Sequence, residues 1–174
     1  MVNFMNKKIA KQIVNRLSGI FTDKPALNFN SPYQLLVAVV LSAQCTDERV
    51  NKVTEKLFID YGTPQKMCTL SQEQLEKFIF SCGLYKNKAK NILSLTKDIL
   101  DKFDGQVPNN LEDLRSLAGV GRKTANVVYS VAFKGDAIAV DTHVFRVANR
   151  IGLVKADTPL KTETGLMKIL DESD

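Results

Sequence analysis

Lys123 and Asp141 are the two side chains in this sequence best suited to covalent chemistry. Lys123 lies in the stretch LAGVGRKTA at 117–125, and Asp141 follows the apolar run AIAV at 137–140. The turn before Lys123 places it in the first turn of a predicted helix, where the positive end of the helix dipole disfavours the ammonium form. An amine so placed is a candidate nucleophile. Together with a carboxylate that stabilises a developing sugar cation, it would suit chemistry at a glycosidic bond.

Two glycines flank one apolar residue in the turn before Lys123. Gly119 and Gly121 can adopt backbone conformations closed to other residues, and Val120 would pack between the helices on either side. Such a turn leaves backbone N–H groups at the positive end of the second helix, where a phosphate can bind. From the glycines alone, an ordinary corner between two helices explains the pattern equally well.

Two other phosphate-binding motifs fit this stretch less well. A Walker A loop needs glycine directly before the lysine, and Arg122 stands there. A dinucleotide fingerprint needs a third glycine where Thr124 stands, and a preceding strand, whereas LEDLRSL at 111–117 has a helical pattern.

Apolar residues recur at helical spacing along the whole chain. The segment 33–42 is apolar nearly all round and predicts a buried central helix, with Ser31 as its cap and Pro32 at its first position. Asp141 can cap the helix that follows it, which is its ordinary structural explanation. We therefore expect an all-α protein whose main part is a helical bundle with a helix-hairpin-helix motif at 111–133.

Composition and charge indicate a folded protein with a polyanionic partner. The 174 residues are 44% hydrophobic and 25% charged, and 24 basic against 19 acidic residues leave a net charge of +5. The N-terminus has the pattern of neither a signal peptide nor a membrane span, so we expect a cytoplasmic protein with no membrane partner. Cys45, Cys68 and Cys82 lack metal-ligand spacing, and their odd number argues against a disulfide framework.

Four segments of the sequence resemble the endonuclease III family of DNA glycosylase/AP lyases, which belongs to the helix-hairpin-helix superfamily. They are LLVAVVLSAQCTDERVNK, CGLYKNKAKNI, LAGVGRKTANVV and VDTHVFRVANR. The resemblance extends from about Leu27 to Leu153 and more loosely to both ends. It is specific, because the adenine-removing relatives usually carry serine in place of Lys123 and lack the VDTH block at 140–143.

The resemblance implies base-excision repair of double-stranded DNA with a damaged base or an abasic site. Lys123 would attack the sugar C1′ of an oxidised pyrimidine nucleotide and form a Schiff base, from which β-elimination cuts the strand. Asp141 would stabilise the sugar cation and help to deprotonate the amine.

The resemblance also assigns the DNA contacts. Gln44 would enter the duplex to fill the gap left by the extruded nucleotide, and Leu84 would be a wedge. From the sequence alone, an apolar residue in a basic turn is more simply a helix staple, but the resemblance favours the wedge. The remaining predicted DNA-binding residues lie in or after the hairpin: Gly119, Val120, Gly121, Arg122, His143 and Arg146.

The resemblance further predicts two lobes with the DNA cleft between them. Residues 23–134 would form a six-helix-type bundle, and 1–22 with 135–174 would form an incomplete second helical lobe. Family members commonly continue into a loop with four cysteines that bind a [4Fe–4S] cluster, whereas no cysteine follows Cys82 here. We therefore expect no cofactor and no metal site in this chain, with the second lobe truncated before the cluster loop.

We expect a monomeric, nucleoid-associated protein of the kind found in bacteria. One alternative from a different functional class stays open at this point. The chain could be a helix-hairpin-helix module, or an inactive truncated form, that binds DNA without catalysis.

Overall fold

The computed structural model describes residues 3–21 and 24–170, which form ten helices and one short two-stranded antiparallel ladder. None of these helices is long and apolar enough to cross a membrane. The helices are α1 (Lys7–Ser18), α2 (Pro32–Ser42), α3 (Asp47–Tyr61), α4 (Pro64–Met67), α5 (Gln72–Ile79), α6 (Tyr85–Lys102), α7 (Leu111–Ser116), α8 (Arg122–Phe133), α9 (Thr142–Arg150) and α10 (Pro159–Ile169), and the strands are β1 (Asn3–Phe4) and β2 (Val154–Lys155).

The chain divides into two compact units, one made of 25–135 and the other of 1–24 with 136–174. The first unit contains α2 to α8, of which α4 is a single turn of four residues. The second contains α1, α9, α10 and the ladder. The expected start of the bundle, at Asp23, lies outside the described residues.

Helix α2 is the centre of the first unit, and the prediction of a buried central helix is confirmed. Eight of its eleven residues are buried, and it packs against α3, α6 and α8. It begins as expected, because the Ser31 hydroxyl accepts a hydrogen bond of 3.2 Å from the Gln34 N–H and Pro32 occupies the first helical position.

Helix α6 is tied to α2 by a buried polar contact near the start of α2. The Tyr33 hydroxyl lies 2.7 Å from the Thr96 hydroxyl, which also donates a hydrogen bond of 2.6 Å to the Ile92 carbonyl. Burial raises the pKa of Tyr33, so the phenol is neutral here. The contact fixes the position of α6 along α2 at this end.

The unit made of both termini has its own small core. The buried apolar residues of this core are Ala10, Val140, Ala148, Leu153, Val154, Leu166 and Ile169. The ladder pairs Asn3 with Lys155 and Phe4 with Val154. The all-α prediction is confirmed for the architecture, but this ladder was not predicted, since two residues are too few to show strand alternation.

The apolar residues of α1 and of the turn after it are only partly buried. Ala10 is fully buried and Ile13 packs against the core of this unit, whereas Ile9 is 49% exposed. Beyond the helix, Ile20 and Phe21 are exposed as well. The apolar periodicity therefore identified the helix, but not which of its residues are buried.

Candidate functional site

The hairpin between α7 and α8 requires glycine at one of its two glycine positions. Gly119 has φ +77°, and a Cβ there would lie 2.8 Å from the Asn91 Nδ2. The N–H of Val120 donates a hydrogen bond of 3.1 Å to the Leu117 carbonyl, and the Val120 side chain is buried. Any contact of Val120 with DNA must therefore use its backbone. The tight turn thus depends on Gly119 for conformation and for space.

Gly121 differs from the expectation for both glycines. Its φ of −82° and ψ of 176° are extended backbone that any residue can adopt, so the prediction of a conformation closed to other residues is wrong at this position. A Cβ on Gly121 would meet no other atom within 4 Å. The backbone is therefore open on this side, which suits the close approach of a ligand.

Gly121 is the N-cap of α8 and offers no capping side chain, which is unusual among the described helices. Eight of the ten described helices have a side chain that accepts a hydrogen bond at the N-terminus, and the exceptions are α6 and α8. Lys123 is the second residue of α8, and both Lys123 and Arg122 are exposed. Two basic side chains therefore lie at a helix N-terminus that attracts anions.

Asp141 caps α9, as its position in the sequence suggested. Its Oδ1 accepts hydrogen bonds from the His143 N–H at 2.9 Å and the Val144 N–H at 2.8 Å. The cap uses one carboxylate oxygen and thereby fixes the orientation of the group. Lys123 belongs to unit 25–135 and Asp141 to the other unit, so the expected pairing of the two side chains stays a prediction.

His143 and Arg146 lie in α9, directly after the Asp141 cap. Both side chains are exposed. They stand three residues apart, so they share one face of the helix. The structure thus presents an imidazole and a guanidinium side by side next to the cap.

Gln44 and Leu84 are brought together by two adjacent loops of unit 25–135. Both have left-handed backbone, with φ of 55° and 57°, and both side chains are exposed, Leu84 by 63%. A Cβ on Gly83 would lie 3.3 Å from the Gln44 carbonyl oxygen, so the loops touch. An exposed Leu84 does not act as a staple. Left-handed backbone at two exposed non-glycine residues is the kind of strain found at functional sites.

Near these loops, one lysine is buried although its neighbours in the sequence are basic. Lys88 stands among Lys86 and Lys90 in a basic run, yet its side chain is only 5% exposed. The signal was its spacing, because Lys88 precedes the buried Ile92 by four residues and the buried Leu95 by seven. It therefore stands on the buried face of α6.

The cysteines do not form a set that could hold an iron–sulfur cluster. Cys45 is half-buried, Cys68 exposed and Cys82 buried, and a [4Fe–4S] cluster needs four thiolates. Across residues 3–21 and 24–170, no group of three or more histidine, cysteine, aspartate or glutamate residues could hold a metal ion. The expectation of no cofactor in this chain stays a prediction.

Comparison with known proteins identifies the family. Residues 37–172 match the model of the HhH-GPD superfamily of base excision DNA repair proteins. Endonuclease III of Rickettsia conorii is 50% identical over 165 residues, which cover 92% of this chain and 79% of that protein. The chain belongs to the endonuclease III family.

Other members of the endonuclease III family are similar to this chain in sequence and in structure. Endonuclease III of Bacillus subtilis is 50% identical over 172 residues, covering 98% of this chain and 78% of the relative. A solved structure described as a trapped endonuclease III–DNA covalent intermediate superposes with a TM-score of 0.89 at 48% identity, over 97% of this chain and 80% of that one. This family member therefore shares both the fold and most of the length of its relatives.

Proposed function

We propose that this chain removes oxidised pyrimidines from double-stranded DNA and cleaves the strand at the resulting abasic site, with Lys123 as the nucleophile. The chain is a base-excision DNA glycosylase/AP lyase, and its partner is DNA. The observation that carries the assignment of Lys123 is its place in the first turn of α8, directly after the open backbone at Gly121. We further propose that it acts as a monomer in the cytoplasm, on the DNA of the nucleoid.

The amine of Lys123 acts on the sugar. Its nitrogen lone pair forms a bond to C1′, and the glycosidic bond breaks with its electron pair leaving on the base. Ring opening gives a Schiff base between Lys123 and C1′, which makes the C2′ proton acidic. Loss of that proton expels the 3′ phosphate and cuts the strand.

Asp141 contributes the negative charge that this reaction needs. As the base leaves, positive charge develops on the sugar, and a carboxylate stabilises it. The capping bonds at Oδ1 hold the group in one orientation. The same carboxylate helps to deprotonate the Lys123 ammonium. This proposal requires that Lys123 and Asp141 meet at the same nucleotide.

Gln44 and Leu84 make the target sugar accessible. The glycosidic carbon is hidden inside a duplex, so the nucleotide must leave the base stack and something must occupy its place. Two exposed side chains on touching loops, one polar and one apolar, suit this insertion. The amide of Gln44 can hydrogen-bond to an orphaned base, and Leu84 can separate neighbouring bases.

The remaining residues hold the DNA backbone. The hairpin at Gly119 and Gly121, with Arg122 beside it, offers backbone N–H groups and positive charge to a phosphate. His143 and Arg146 on α9 offer two further donors. Contacts of this kind position the protein on DNA without reading its sequence, so the residue that recognises a lesion must lie elsewhere.

Borohydride trapping on a duplex with one abasic site tests the proposal. Borohydride reduces a Schiff base to a stable amine, so the parent chain should give a covalent protein–DNA band. Lys123→Ala should give none, while Lys97→Ala, which removes an exposed lysine from α6, should match the parent. A folded, DNA-binding parent without a band would overturn the assignment and favour the non-catalytic DNA-binding module.

A further inference from the structure

Lys88 is a buried charged side chain that the proposed chemistry does not use. It is 5% exposed, whereas the other lysines of α6, Lys86, Lys90, Lys97 and Lys102, are exposed. A buried ammonium is unfavourable unless it is hydrogen-bonded, and burial lowers the pKa of Lys88 in line with that penalty. A side chain kept in such a place needs a specific reason.

The hydrogen bonds of Lys88 connect the two loops that carry Gln44 and Leu84. Its Nζ donates to the Leu41 carbonyl at 2.9 Å, and its backbone N–H donates to the Leu84 carbonyl at 3.1 Å. Leu41 is the second-last residue of α2, and Gln44 follows three residues later. Leu84 is the residue that precedes α6. One residue thus binds the end of α2, just before the Gln44 loop, and the end of the Leu84 loop.

The hydrogen bond to Leu41 also provides a partner for a carbonyl at the C-terminal end of α2. The last carbonyls of a helix have no partner within it, and they form the negative end of its dipole. At this end of α2, the Ser42 hydroxyl donates to the Val39 carbonyl and the Cys45 N–H to the Ser42 carbonyl. Lys88 supplies the partner for Leu41 from a different helix, so it joins two elements and does not merely cap one.

The Gln44 loop and the Leu84 loop are in contact, so a small shift of either loop would change the distance between them. A Cβ at Gly83 would stand only 3.3 Å from the Gln44 carbonyl oxygen, and Arg49 Nη1 donates to the Ser81 carbonyl at 3.4 Å on the outer side. Gln44 and Leu84 both hold left-handed backbone, which persists only where the surroundings impose it. The hydrogen bond from Lys88 to the Leu41 carbonyl is directional, so it adds a constraint that an apolar side chain cannot supply.

We propose that Lys88 is a positioning residue that locks the Gln44 loop to the Leu84 loop, so that both side chains enter the duplex together when a nucleotide is extruded. The inference rests on the proposed function of Gln44 and Leu84. Lys88 itself is buried and acts through the Leu41 carbonyl and the first hydrogen bond of α6. Its contribution is therefore to base extrusion, and the reaction of Lys123 with an already accessible sugar does not need it.

Two substrates separate these steps. A duplex with one thymine glycol pair requires extrusion, whereas a single-stranded oligonucleotide with one abasic site presents its sugar without insertion. Lys88→Met, which keeps the length of the side chain but not the donor, should slow trapping on the duplex by about 10- to 100-fold, as misplacement of positioning groups does. On the single strand it should stay within about threefold of the parent. Lys97→Met, on the opposite face of α6, should leave both rates unchanged.

A fluorescent reporter measures insertion directly, and a loss of stability in the variant does not change its signal. With 2-aminopurine opposite the lesion, insertion of Gln44 and Leu84 unstacks the probe and raises its fluorescence in the parent complex. When the duplex is saturated with the Lys88→Met variant, the increase in fluorescence should be smaller than in the parent complex. In the double variant with Leu84→Ala, the loss of fluorescence increase should be smaller than the sum of the two single losses, because both changes act on the same insertion.

Equal slowing on both substrates, or no slowing on the duplex, would overturn the inference. If Lys88→Met does not fold, Lys88→Gln, whose shorter side chain is expected not to reach the Leu41 carbonyl, is measured in the same way against the same criterion. Failure of the proposed function looks different, because the parent chain would then give no covalent band even on the single-stranded abasic site.

Discussion

Gly119 lies against the side chain of Asn91, so that a Cβ at position 119 would stand 2.8 Å from the Asn91 Nδ2 and 2.9 Å from its Cβ. This contact ties the hairpin to α6, the helix that also carries Lys88 and begins beside Leu84. The two glycines of the hairpin therefore differ in what they contribute, since Gly119 serves packing and Gly121 does not.

Gly119→Ala should destabilise the protein. The left-handed backbone costs an alanine about 1–3 kcal/mol, and the methyl group would in addition collide with the Asn91 side chain. Chemical denaturation gives the free energy of unfolding. A variant with unchanged stability would mean that the turn relaxes without penalty.

Gly121→Ala should separate DNA binding from stability. Its backbone is extended and the space around it is open, so the loss of stability should stay below about 1 kcal/mol, mainly because alanine is a poorer helix cap. A methyl group at the open backbone should nonetheless keep a phosphate away and weaken binding about tenfold, or roughly 1.4 kcal/mol. Fluorescence anisotropy with an undamaged duplex at one fixed salt concentration measures this, and unchanged affinity would argue against a phosphate at this turn.

Asp141→Asn and Asp141→Ala should separate the cap of α9 from the chemistry. Asparagine caps a helix as well as aspartate does, so Asp141→Asn should have the same free energy of unfolding as the parent. In Asp141→Ala the free energy of unfolding should fall by about 1 kcal/mol. Both remove the negative charge, and both should slow single-turnover trapping by about 10²-fold or more. Full activity in Asp141→Asn would show that the carboxylate serves only as a cap.

Cys82 should be the slowest of the three thiols to alkylate. It is fully buried, and burial together with the neighbouring Cys45 raises the pKa of the Cys82 thiol to about 11. The reactive species is the thiolate, so Cys82 should react more slowly than the exposed Cys68 at pH 8, and its rate should still rise as pH passes 9 and approaches 11. Iodoacetamide labelling followed by peptide mass spectrometry measures each site. Equal rates at Cys68 and Cys82 would contradict the burial of Cys82.

The sequence by itself determined the helices and most of their starts, because apolar periodicity and capping are local. Ser31 and Asp141 each cap the helix that was expected to follow them, and Thr63, Ser71 and Thr158 cap their helices in the same local way. The position of Lys123 in the first turn of α8 was equally local, since the glycine turn and the apolar repeat after it define the start of the helix.

Only the tertiary structure decided how distant segments meet. Helical spacing could place Lys88 on the buried face of α6, but its hydrogen-bond partner at the end of α2 lies far from it in the sequence. The contact between the Gln44 loop and the Leu84 loop likewise joins segments that are distant in the sequence. The lack of space for a side chain at position 119 comes from Asn91 on another helix, whereas Gly121, two residues later, has no such neighbour. Side chains and backbones brought together across long sequence separations leave no periodic pattern, so no local signal could identify them.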